Sequence, residues 1–87
     1  MEDKTAVEED PQAFFEIELL RPINENDDIK WSLNGRKLEK GAKYGVESNR
    51  NKCRLIIKDI TLEDEGTYAV EINNSKSSAL LIVEGLF

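Results

Sequence analysis

The stretch Asp64-Glu65-Gly66-Thr67-Tyr68-Ala69-Val70, which begins 33 residues beyond the chain's only tryptophan, Trp31, constrains the fold most. Acidic residues and a glycine make a turn, and an alternating strand follows with a tyrosine near its start. A tyrosine fixed at such a corner buries its ring and needs a backbone acceptor for its hydroxyl. Trp31 lies in a second alternating run, Ile29-Lys30-Trp31-Ser32-Leu33, so its indole is expected in a core and not at an interface. A third run, Phe15-Glu16-Ile17-Glu18-Leu19, puts apolar side chains on one face and carboxylates on the other. Half-buried strands of this kind need a second sheet to cover them.

The rest of the chain repeats the pattern, with no helical stripe. Thr5-Ala6-Val7 reads as a short first strand, and Ala13 to Leu20 as the second. Asn34-Gly35 supplies the left-handed dihedrals of a tight hairpin turn after the tryptophan strand. Arg36 to Lys43 reads as a basic connection anchored by Leu38, followed by a short strand with Tyr44 and Val46 on one face. Cys53 to Asp59 points Leu55 and Ile57 inward; Tyr68, Val70 and Ile72 share a face; Ala79, Leu81 and Val83 complete a last strand. About seven short strands at this spacing predict an all-β sandwich of antiparallel strands in two sheets. The expected core is Phe15, Ile17, Trp31, Leu33, Leu55, Ile57, Tyr68, Val70, Leu81 and Val83.

Eighty-seven residues allow one such domain, taken as 1–87 with 1–4 frayed or extraneous to it. With 39% hydrophobic and 34% charged residues the composition is that of a folded chain, and no apolar run approaches a membrane span of roughly 20 residues. No secretory leader is visible in the acidic first ten residues. Cys53 is the only cysteine, so no intrachain disulfide can form, which favours a reducing compartment. The core must therefore hold the sandwich unaided.

The sequence is expected to carry no catalytic constellation. The chain has no histidine to activate Tyr68 or Cys53, no phosphate-binding glycine loop and no Cys/His metal cluster. Glu25, Asp27 and Asp28 lack the ligand spacing of a calcium loop and read as a solvated turn. Cys53 shares parity with Leu55 and Ile57 and reads as a half-buried structural thiol. No catalytic residue, cofactor or metal is expected, nor a nucleic-acid or membrane partner.

Charge is segregated along the chain. Residues 1–29 carry ten acidic and two basic side chains, residues 30–58 two and nine, and residues 59–87 six and one. Cross-strand pairing is expected to set Glu16 and Glu18 against Arg54 and Lys58, and Lys30 against Glu71. That leaves Arg36, Lys37, Lys40, Lys43, Arg50 and Lys52 unpaired in the connections at one edge. They read either as solvated charges that discourage edge-to-edge aggregation or as a docking patch for an acidic partner.

Four strings carry a resemblance: Ala13 to Leu19, Ile29-Lys30-Trp31 followed by Asn34-Gly35, Leu55-Ile56-Ile57-Lys58-Asp59, and Asp64-Glu65-Gly66-Thr67-Tyr68. Together they resemble the intermediate-set immunoglobulin domains of giant muscle proteins such as titin, twitchin and myosin-binding protein C, over roughly Ala13 to Glu84. The family's two cysteine positions fall on Ile17 and Val70. The opening strand is short, and the loop Asn73-Asn74-Ser75-Lys76 lacks the glycine common there. The resemblance implies a monomeric, non-catalytic module of an intracellular cytoskeletal or sarcomeric protein, acting as spacer, mechanical element and docking surface for other proteins. Its partners would be neighbouring immunoglobulin or fibronectin-type domains and filament proteins. The alternative is an extracellular adhesion or receptor domain, for which the sequon at Asn73 argues. A first strand at Thr5-Ala6-Val7 paired with Leu80 to Val83 would shear under tension, and Val7→Pro is the substitution expected to weaken it.

Overall fold

The computed structural model describes residues 1–24 and 26–86. Among them eight strands form two sheets: β1 (Lys4–Val7), β2 (Gln12–Glu18), β3 (Ile29–Leu33), β4 (Arg36–Lys37), β5 (Tyr44–Asn49), β6 (Lys52–Lys58), β7 (Gly66–Ile72) and β8 (Ser75–Glu84). One sheet runs β1-β8-β7-β3-β4 and the other β2-β6-β5. All pairs are antiparallel except β1 with β8, which is parallel. The eighth strand is β4, two residues inside the expected basic connection, paired with Ser32 and Leu33 of β3. The hairpin between them turns on Asn34 and Gly35 at φ 51° and 85°, as a two-residue turn requires. Asn73, at φ 54°, takes the same role between β7 and β8 without a glycine.

The core forms where the inward faces meet. Phe15, Trp31, Leu55, Ile57, Tyr68, Val70, Leu81 and Val83 are buried there, together with Cys53, Ile60, Ile72 and Ala79. Ile17 and Leu33, expected to share this depth, are only partly buried and pack at its margin. Both sit near strand ends, Ile17 one residue from the end of edge strand β2 and Leu33 beside the β3–β4 turn, where fewer neighbours cover them. Cys53 is fully buried, deeper than the half-buried thiol expected, because β6 is the central strand of its sheet. Burial pushes its thiol pKa up, opposed by the Trp31 and Ser48 side chains. The Phe15 and Tyr68 rings pack with centroids 5.1 Å apart.

The tyrosine corner forms as expected. The Tyr68 hydroxyl donates to the Asp64 carbonyl at 2.6 Å across a short 3₁₀ turn, Leu62–Asp64. Gly66 enters β7 at φ 156°, and a Cβ there would come within 2.6 Å of the Asn34 amide and 2.9 Å of Leu33 Cδ1. The side chain of Asn34 also accepts the Thr67 N–H at 2.9 Å. Gly66→Ala is therefore expected to cost about 2–3 kcal/mol, read as a lowered melting temperature.

Residues 1–4, expected to fray, run along β8. Lys4 opposes Leu81, Asp3 accepts the Leu80 N–H at 2.8 Å, and the terminal amine donates to Ser77 at 3.3 Å.

Candidate docking surface

The six candidate cations do not form one patch. Arg36 and Lys37 constitute β4, the exposed edge of the five-stranded sheet, and Lys40 follows on the exposed connection. Arg50 lies in the β5–β6 turn and Lys52 opens β6, both exposed, on the other sheet. Lys52 opposes Glu18 in register, so Glu18 faces Lys52 and not Lys58, which opposes Gln12. Lys43 leaves the group altogether. Its ammonium donates to the Asp64 carboxylate at 2.7 Å and to the Asp59 carbonyl at 2.9 Å. Sequence reasoning missed this because its partner lies 21 residues away and meets it only through folding of the β4–β5 connection.

Pairing elsewhere follows the register. Arg54 reaches Glu16 at 2.8 Å, and the bonded guanidinium lowers the Glu16 pKa. Arg54 also lies over the Phe14 ring, 4.4 Å from its centroid. Lys30 opposes Glu71, although its ammonium pairs with Asp28 at 3.3 Å.

At the pole carrying the β7–β8 turn, Asp27 is tied into the fold and not solvated as expected, its side chain 5% exposed. Arg21 grips Asp27 through two hydrogen bonds of 2.9 and 2.7 Å. The Asn24 N–H and the Asn73 amide add further donors to the same carboxylate. Chiefly through Arg21, then through these donors, Asp27 is held well below the usual carboxylate range. A carboxyl depressed in the folded state stabilises above its unfolded pKa near 3.9 and loses that contribution as pH falls through its folded value. Arg21→Ala is expected to move the onset of acid unfolding to higher pH, followed by circular dichroism. Of the residues weighed as a calcium loop, Glu25 lies outside the described residues. Among those described, no cluster of three metal-ligating side chains is present. Asn73, the sequon residue, uses its amide on Asp27 and accepts the Asp28 N–H at 3.1 Å, so a glycan there would compete with this network.

The described residues leave the β4 edge and the outer faces of the two sheets exposed. The exposed β4 edge can present guanidinium and ammonium groups to carboxylates, while the tied poles and the buried core fix its position.

Comparison with known proteins gives this geometry a family. The family model described as the immunoglobulin I-set domain matches residues 2–83. Mouse cardiac-type myosin-binding protein C is 40% identical over 62 residues, covering 69% of this chain and 5% of that protein. The chain thus spans a small fraction of its curated relatives' length. Domain I10 of titin superposes with a TM-score of 0.85 at 28% identity, covering 95% of this chain and 90% of that one. The I9–I11 tandem from titin gives a TM-score of 0.86 at 24% identity, covering 97% of this chain and 30% of that one, a likeness of fold. The chain belongs to the immunoglobulin I-set family, whose members similar to it include domains of the sarcomeric muscle proteins titin and myosin-binding protein C.

Proposed function

We propose that this domain is a non-catalytic module of a sarcomeric or cytoskeletal protein, serving as spacer, mechanical element and docking surface. The reading rests first on the 40% identity with cardiac myosin-binding protein C. A core that closes around a single buried, unpaired cysteine supports it, since such a sandwich needs no oxidising compartment. In this reading Arg36, Lys37 and Lys40 dock an acidic filament protein, with Arg50 and Lys52 as a separate, weaker contact.

Co-sedimentation with washed myofibrils tests it. The domain is expected to pellet with them, less so as ionic strength rises, because exposed charge pairs are screened. Reversing Arg36, Lys37 and Lys40 to glutamate should reduce the bound fraction several-fold without changing the melt. A domain that stays in the supernatant at every salt concentration would overturn the docking role.

A further inference from the structure

Outward side chains on the five-stranded sheet fall into rows set by register, since Ala79, Leu81 and Val83 of β8 point into the core and their neighbours point out. Nearest the β7–β8 turn, Lys30, Glu71 and Lys76 stand side by side across β3, β7 and β8. The next row is Lys37, Ser32, Ala69 and Ser78. Ser32 and Ala69 floor a depression of about 190 Å³ walled by Lys30, Lys37, Glu71 and Lys76. Beyond it Thr67 opposes Leu80, and Ile82 stands beside Thr5. Leu80 and Ile82, 38% and 42% exposed, form an apolar pair two residues apart on the outer face of β8.

Charge says what such a face accepts. Three ammonium groups surround one carboxylate at the depression; Lys30 is paired with Asp28 at 3.3 Å, while among the described residues Lys37 and Lys76 form no ion pair. From Glu71 to Thr67 is four residues of strand, about 13 Å at about 3.3 Å each. An extended peptide spans the same distance between side chains on one of its faces, from position i to i+4. We propose that this face docks an extended acidic segment of another protein, with carboxylates at i and i+2 on Lys76 and Lys37 and aliphatic side chains from i+4 over Leu80 and Ile82. The proposal rests on the docking reading above but places the contact on the sheet face, which shares only Lys37 with the β4 edge.

The probe is a synthetic heptapeptide with glutamate first and third, isoleucine fifth and seventh, and serine between. It is titrated into the ¹⁵N-labelled domain and followed by amide shifts. Saturable shifts are expected at Ser32, Ala69, Ser78 and Leu80. Lys37→Glu with Lys76→Glu should weaken binding about ten-fold or more, and Leu80→Ser several-fold. Arg36→Glu with Lys40→Glu should leave it unchanged, and well-dispersed spectra identify folded variants. Loss of binding in the Arg36/Lys40 variant, with no effect of Lys76→Glu, would overturn the face and retain the edge. Equal binding of a peptide with lysine in place of glutamate, or no saturable shift on this face, would also overturn it.

Discussion

Trp31→Ala is expected to unfold the domain or bring it close to unfolding. The indole is buried in the middle of β3, opposite Val70, with Cys53, Leu55 and Ile57 in the same core. Truncating a buried tryptophan costs about 3–5 kcal/mol, transfer and cavity together. Small domains hold only about 5–15 kcal/mol in total, and the single cysteine here allows no disulfide to make up the loss. At about 4–8 °C per kcal/mol for a domain of this size, the melting temperature should fall by at least about 12 °C. Reducing agent should leave the wild-type melt unchanged. A variant melting within a few degrees of wild type would mean that the indole does not fill the core.

The second large effect is expected at Asp64, a charged residue only 4% exposed. Its carboxylate accepts the Thr61 N–H at 2.8 Å and the Lys43 ammonium at 2.7 Å. Its carbonyl holds the Tyr68 hydroxyl. Asp64→Ala leaves the Thr61 N–H without its acceptor and the partly covered Lys43 ammonium with only the Asp59 carbonyl. Losses of this kind cost about 2–4 kcal/mol, the upper limit lowered here because Lys43 is partly solvated. Lys43→Ala should cost about 1–2 kcal/mol, since Thr61 still serves the carboxylate. Lys40→Ala, a neighbouring exposed cation, should stay within about 0.5 kcal/mol. Equal melts for the Lys43 and Lys40 variants would mean that the buried pair does not form in solution.

What could be read from the sequence was what periodicity encodes. Alternation placed β2, β3, β6 and β7 within a residue or two, oriented Trp31 and Tyr68 inward, and set Glu16 against Arg54, whereas β8 starts at Ser75, four residues before the expected Ala79 and inside the expected loop Asn73 to Lys76. Depth along a strand was less legible. Phe15 and Ile17 share a face, yet only Phe15 is fully buried, because edge position and strand ends change coverage without changing parity. Contacts made by irregular connections were not legible at all, and Lys43 with Asp64 is the clearest case. Nor does sequence reveal which backbone donors face the partner strand. The Val7 N–H turns to the Asp10 carboxylate at 2.9 Å, while the Glu8 N–H bonds the Glu84 carbonyl at 2.8 Å. Alternate residues face β8 in a parallel ladder, so the donor next before Glu8 is that of Ala6. Proline at position 6, not 7, is the substitution that breaks the ladder.

Force tests the mechanical role most directly. β1 lies parallel to β8 from Lys4 opposite Leu81 to Val7 opposite Glu84, so tension between the chain ends loads their hydrogen bonds together. With one handle on Glu9→Cys and the other at the C-terminus, the same strands are pulled apart from one end, one bond at a time. Single-molecule pulling between the termini should give a several-fold higher unfolding force than pulling from position 9, and Ala6→Pro should lower the first force and spare the second. Equal forces in the two geometries would contradict a mechanical role for the β1–β8 pair.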